Sequence, residues 1–423
     1  MIFSAKVYFN LLVFTVFLFF ISRQNIVELG FLRYFNHIYI FIYIFSFVIL
    51  LFCKPIKAKF IYLLVIVLLY SAFLVWKNNL PIFNMFQTLI TLKYIFVFYI
   101  AANVFQTDRV VLFEKFTKIL TLVLILSVVF TFTDYIFPNV FYDLSKDGRG
   151  LGGITPGSFF GSRVLYSGFL LLYSILLLSF KYNKGHNKYF IYSPKLYWLL
   201  LLLAFTLLFL TFSRKELVLL LIAYSISILY KSQGKKKLLG ITLLIVLTPI
   251  VFLGLWFFIG ESVQANLNEG YVRYKIFYYA MEIFEYYFPL GSGPGTYGTL
   301  MSKMYTDVYT QFNVDSAIIG YGSDIEGPIF DLFFVSLIAE YGLGFIFVIF
   351  LIFQPFTSSK DEGVEMVSHI NLIRINAFLM LVGIGMMVPI MGNVVGLLLY
   401  FLLGIISSRG LLLAPNKKLG KGT

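Results

Sequence analysis

The stretch YYFPLGSGPGTYG, residues 286–298, contains GPGTYG (293–298), formally a G-x-G-x-x-G. As a dinucleotide fingerprint it would make the chain an α/β protein, because that motif sits between a strand and a helix within a βαβ unit. The preceding segment, YVRYKIFYYAMEIFEYYF (271–288), carries helical periodicity instead, and Pro294 interrupts the motif. What remains is a glycine-rich turn between helices, and the fold class is all-α.

The 423 residues are 60% hydrophobic, 20% aromatic and only 13% charged, with a mean hydropathy of +0.89. A soluble domain cannot hide that much apolar surface, so the expectation is a single polytopic membrane domain over 1–423. The one cysteine, Cys53, excludes an intramolecular disulfide, and His37, His186 and His369 lack metal-ligand spacing. Apolar runs at about 3–22, 36–53, 60–76, 85–105, 119–137, 164–180, 196–212, 216–230, 238–259, 329–353, 374–391 and 393–408 give twelve candidate transmembrane helices. No small-residue cleavage site follows the first, so it is expected to stay as an anchor.

The lysines and arginines orient these spans. With the N-terminus inside, 21 basic residues fall in inside segments, 11 fall outside, and Lys93 lies within a span. The bias places both termini in the cytoplasm and makes the +13 net charge a topology signal, with no nucleic-acid partner. Two outside loops are then long, 138–163 and 260–328, and outside work belongs to them.

Within the second loop, Arg273, Phe277, Ala280, Phe284 and Phe288 share one helical face, opposite Tyr271, Lys275, Tyr278, Tyr279, Glu282 and Tyr286. Such a helix lies in a membrane interface, where Arg273 either meets a lipid phosphate or merely snorkels to headgroups. The glycines after it either take part in a site or only end the helix and turn the chain.

The order of these features resembles the O-antigen polymerase and O-antigen ligase superfamily of bacterial membrane glycosyltransferases. An arginine (Arg273) opens an outside helix that runs into PLGSGPGTYG (289–298), including Gly291, Gly293, Gly295 and Tyr297. Later, DLFFVSLIAEYGLGF (331–345) brings Glu340-Tyr-Gly342-Leu-Gly344 at the top of a span. The turn FSRKE (212–216) resembles the family's S-R turn through Ser213 and Arg214, and GRGLGGITPGSFFGSR (148–163) supplies Arg149 and Arg163. Topology matches over the whole chain, and the motifs span about residues 145–345. Ligases of the superfamily typically carry a histidine at the start of the E-x-G span; Asp331 stands there in this chain, and the second outside loop has no histidine, which favours the polymerase.

The resemblance implies an enzyme of the bacterial inner membrane whose site faces the periplasm or cell exterior. It joins oligosaccharides carried on undecaprenyl pyrophosphate, as donor and acceptor, into O-antigen or a related surface polysaccharide. It also implies a chain-length regulator protein as a partner, membrane lipid around the site, and no cofactor or metal. Arginines stabilise a leaving pyrophosphate, which nominates Arg273 and Arg214, then Arg149 and Arg163. A carboxylate helps the attacking hydroxyl; Asp331 is preferred among Asp307, Asp315, Asp324 and Glu326 for its place at the mouth of a span. Glu340, inside a span, either serves the site or holds a helix contact. Tyr278 and Tyr297 stand for the outside tyrosines, which either stack on sugars or form an interfacial belt. The rival readings are the ligase, transferring lipid-linked glycan to lipid A-core, and a lipid-linked oligosaccharide flippase. The chain shows neither the internal repeat nor the charge relay that mark many carriers.

Overall fold

A computed structural model describes residues 5–21, 30–53, 56, 58–104, 109–137, 154, 156–160, 162–181, 192–231, 241–242, 272–314, 316, 332–357, 364–385 and 393–407. Among them the fold is all-helical: α1 (Ala5–Ile21), α2 (Gly30–Cys53), α3 (Ala58–Lys77), α4 (Met85–Val104), α5 (Arg109–Ile136), α6 (Arg163–Lys181), α7 (Pro194–Leu210), α8 (Arg214–Lys231), α9 (Val272–Tyr286), α10 (Asp307–Gln311), α11 (Phe333–Tyr341), α12 (Phe345–Thr357), α13 (Val364–Gly385) and α14 (Val394–Ser407). Four described stretches are long and apolar enough to cross a membrane: Ala58–Lys77, Ile82–Val104, Val111–Ile136 and Phe333–Phe356. Shorter apolar helices accompany them, so this is a helical membrane protein. The expected span at 238–259 lies almost wholly outside the described residues.

Local sequence explains the helix ends. At α7, Pro194 takes the first position, where its missing N–H costs nothing, and the Ser193 hydroxyl accepts the Leu196 N–H at 3.3 Å. The α7–α8 hairpin turns through Thr211–Ser213, with Phe212 at a φ of 51°. The expected span at 329–353 is broken: α11 ends at Tyr341, and a short 3-10 turn, Gly342–Gly344, leads into α12.

Three helices, α4, α6 and α14, are buried on nearly all sides along most of their length. Their polar residues are buried with the rest, Gln87, Thr88, Thr91 and Lys93 on α4 and Ser167, Ser174 and Ser179 on α6. The others surround them and turn Phe45, Phe52, Tyr62, Leu69, Phe132 and Leu202 outward, the pattern of a lipid-facing bundle. In such a bundle, close backbone approach substitutes for hydrophobic driving force. Helices α4 and α14 run parallel, from the Tyr94–Asn393 hydrogen bond to Gly404, where an added Cβ would lie 2.5 Å from Ala101 Cβ and 2.7 Å from the Phe98 carbonyl.

Small-residue contacts also place the helix starts. Gly168 on α6 meets Val395 on α14 and Ile384 on α13, while Gly383 on α13 meets Leu219 on α8. The first turns of α4, α6, α8 and α14 therefore lie at one end of the bundle. We predict that Gly404→Leu, by overpacking the α4–α14 crossing, destabilises the protein by about 1–3 kcal/mol. The check is a lowered apparent Tm in detergent or nanodiscs, with Leu403→Met as the volume-conserving control.

Candidate functional site

The glycine-rich turn folds back onto the break between α11 and α12. Gly291 (φ 88°) and Gly342 (φ 53°) cross backbone to backbone: a Cβ on Gly291 would stand 2.3 Å from the Gly342 nitrogen, and one on Gly342 would stand 2.3 Å from the Pro289 carbonyl. Only glycine combines that φ with that proximity. Around the crossing, Ser292 N–H donates to the Ala339 carbonyl (3.0 Å), Gly293 N–H to the Glu340 carbonyl (2.8 Å) and Leu343 N–H to the Pro289 carbonyl (2.8 Å). The two motifs, 50 residues apart in sequence, form one hydrogen-bonded unit.

The Glu340 side chain completes it. Fully buried, its Oε1 accepts the N–H groups of Thr296 (3.0 Å) and Tyr297 (3.2 Å) and the Thr299 hydroxyl (2.5 Å). A carboxylate collecting backbone N–H groups orders a turn in the way a helix cap does. Its hydrogen bonds go to the turn and not to a second helix. Its Oε2 has no hydrogen-bond partner among the described residues. Tyr297 is fully buried too and donates to the Ile276 carbonyl at 2.6 Å, tying the turn to α9. Burial pushes the Tyr297 phenol well above its ordinary value, so it stays a neutral donor. Tyr309 receives the Gly298 N–H at 2.8 Å and donates to the Ser302 hydroxyl at 2.8 Å.

The α3–α4 connection supports the unit from below. Tyr70 Oη donates towards the Leu290 and Tyr341 carbonyls (2.7 and 3.1 Å), and its ring lies where a Gly344 side chain would be. Asn78 Nδ2 donates to the carbonyls of Gly291 and Ser292 (3.2 and 2.9 Å), and Gln87 Oε1 receives the Met301 N–H at 3.2 Å. Leu80 fills the space that a side chain on Gly293 would need, and Met301, with Asn84 behind it, fills that of Gly295. Gly291, Gly293 and Gly295 are all buried, and their role here is backbone approach.

The nominated residues separate into groups. Arg163 and Arg214 open α6 and α8 at the bundle end that carries the start of α4, the helix beneath the turn. Arg214 is exposed, Arg163 half-buried. Arg273 is half-buried on α9, one turn before Ile276, whose carbonyl the turn's Tyr297 engages. Tyr278 is half-exposed beside Glu282, which raises its phenol pKa through a side-chain hydrogen bond. Arg149 and Asp331 lie outside the described residues. The structure thus brings Arg163, Arg214 and the Arg273 helix to one end.

Sequence reading passed over Tyr70 and Asn78, which carry no motif, and two acids. Asp134, buried near the end of α5, accepts the Ser158 N–H at 2.8 Å and pins the end of the α5–α6 loop. Glu216, buried at the start of α8, has Lys215 Nζ 3.5 Å from its Oε1. An acid inside or at the mouth of an apolar run was the available signal for both.

No protein-family model matches the chain, and a search of curated proteins finds no match. Glu340→Ala, which strips the acceptor from three buried donors, should destabilise the protein by about 3 kcal/mol or more. Glu340→Gln keeps an acceptor oxygen and should cost less. Thermal unfolding and proteolytic nicking within 289–299 read both variants; equal stability of Glu340→Ala and the wild type would refute the clamp.

Proposed function

We propose that this protein is a bacterial inner-membrane glycosyltransferase that polymerises undecaprenyl-pyrophosphate-linked oligosaccharide repeat units into O-antigen or a related surface polysaccharide. The observation that carries the reading is the union of its two family-like motifs, Pro289–Tyr297 and Glu340–Gly344, in one hydrogen-bonded unit that holds the Arg273 helix. The end of the bundle that bears Arg163 and Arg214 is also the end to which this unit is attached. In the proposed orientation, with twelve spans and both termini cytoplasmic, that end faces the periplasm or the cell exterior.

In the reaction, a hydroxyl of the acceptor's terminal sugar forms a bond to the anomeric carbon of the donor glycan. The bond from that carbon to the lipid pyrophosphate breaks, and the hydroxyl proton passes to a carboxylate, here assigned to Asp331. Pyrophosphate departs with its charge and needs fixed cations more than a proton. Arg273 and Arg214 take that task, with Arg149 and Arg163 holding the second lipid pyrophosphate or the glycan. Guanidinium forks suit phosphate oxygens in a water-poor setting, where the charge interaction is strong. Glu340 stays out of the chemistry, being enclosed and committed to the turn. It is a positioning residue.

The test is the surface-glycan ladder of a deletion strain complemented with wild type, Arg273→Ala or Arg214→Ala at matched membrane levels. The expected outcome is glycan capped by a single repeat unit in the deletion strain and in both variants, with the ladder restored by wild type alone. Loss of one guanidinium that stabilises developing charge should slow turnover roughly 100-fold or more. Complete ladders from both variants would overturn the arginine assignment. Loss of all capped glycan on deletion would overturn polymerisation in favour of ligation or flipping.

A further inference from the structure

Helix α9 has three faces. Ile276, Ala280 and Ile283 are buried against α11. Tyr278 and Glu282 occupy a polar side about 100–140° round from Phe277 at 100° per residue. Between the buried and polar sides runs a stripe of Arg273, Phe277 and Phe284, continued into the turn by Phe288, whose ring lies 5.6 Å from that of Phe284. The stripe is turned away from the protein: Phe277 is 45% exposed and Phe288 is 58% exposed. A soluble surface seldom leaves such aromatics in line.

The lower end of the stripe shows what covers it. Phe288 is followed by Pro289, whose carbonyl accepts the Leu343 N–H at 2.8 Å. Leu343 opens the outward face of α12, continued by Ile346, Phe347 and the 61% exposed Phe350, within a stretch apolar enough to cross a membrane. The Pro289–Leu343 hydrogen bond therefore sets the Phe288 end of the stripe beside the exposed apolar face that leads into α12. The geometry points to α9 as an interfacial helix whose Phe277–Phe288 stripe is buried in the outer headgroup and acyl boundary of the bilayer around the bundle. Arg273, one turn before Phe277 on the same stripe, then stands at the level of the lipid phosphates. Aromatic rings and an arginine on one edge are what that boundary selects.

This assignment needs no catalytic activity, so it stands or falls apart from the proposed reaction. In a Cys53→Ser background, Phe277→Cys, Phe288→Cys and the polar-side control Glu282→Cys are labelled with an environment-sensitive fluorophore. The full chain is then placed in nanodiscs containing phospholipid with a nitroxide near the top of the acyl chain. Labels at 277 and 288 should be quenched several-fold more than the label at 282. Equal quenching at all three positions overturns the proposal. Weak quenching at 277 and 288 with energy transfer between labels would identify a second copy of the chain as the occupant, and would also overturn it. The unsubstituted protein provides an independent reading that no folding defect can blur. A photoreactive phospholipid should form adducts within 273–288 as well as on α12, and adducts on α12 alone overturn the assignment.

Discussion

The crossing of Gly291 over Gly342 is the constraint on which this end of the bundle depends. Neither residue can carry a side chain, since each lies at positive φ with backbone atoms of the other segment closer than any Cβ tolerates. Because the approach is that close, three main-chain hydrogen bonds span the two segments and the Glu340 carboxylate reaches the N–H groups beyond. A turn of this composition in isolation would be loose, since glycine has the most conformational freedom to lose. Here the lost freedom is offset by hydrogen bonds made in a water-poor place, where leaving them unmade costs most. Helix α9 inherits its position from this unit through Tyr297 and its packing on α11.

The helical class and most element positions were legible because apolar runs need no tertiary information. Helix α4 occupies 85–104 against an expected 85–105, and α3 occupies 58–77 against 60–76. The departures arise where polar residues continue a helix beyond its apolar run, as in Arg109–Lys118 at the start of α5. The break after Tyr341 was hidden inside an apolar run because its cause is a contact 50 residues away. The same holds for the glycine turn. Its sequence announces flexibility, while its partners Tyr70, Asn78 and Gln87 sit on α3, on the α3–α4 connection and on α4, none of which carries a motif. The face of α9 was partly legible: Phe277, Phe284 and Phe288 do share a stripe, but Ala280 belongs with Ile276 and Ile283 on the packed side.

The buried acids bear on how function is read from membrane sequences. A carboxylate within an apolar run is costly and so attracts a catalytic interpretation. Asp134 and Glu340 both meet that cost by accepting backbone N–H groups from a loop, Ser158 in one case and Thr296 with Tyr297 in the other. Each of the two long loops is thereby pinned to the helical bundle by one acid. Under the proposed function, charge chemistry on a substrate is assigned instead to the cations, and Arg163 and Arg214 sit on the first residues of α6 and α8. That position suits an anion, because the N–H groups of a first helical turn add partial positive charge to the guanidinium.

The same unit also links two surfaces that would otherwise be independent. Pro289 meets the 3-10 turn that leads into α12 through Leu343, while Gly293 and Thr296 are held by Glu340 a few residues further on. A helix anchored at both of these points cannot tilt freely against the bundle, because tilting would break main-chain hydrogen bonds that no side-chain rotation restores. The position of Arg273 relative to the lipid-facing surface is therefore set by backbone geometry. For the proposed reaction between two lipid-borne substrates this matters more than the flexibility of any one side chain. Their phosphates are confined to a thin layer, and a guanidinium held near that layer needs little reorganisation to meet them.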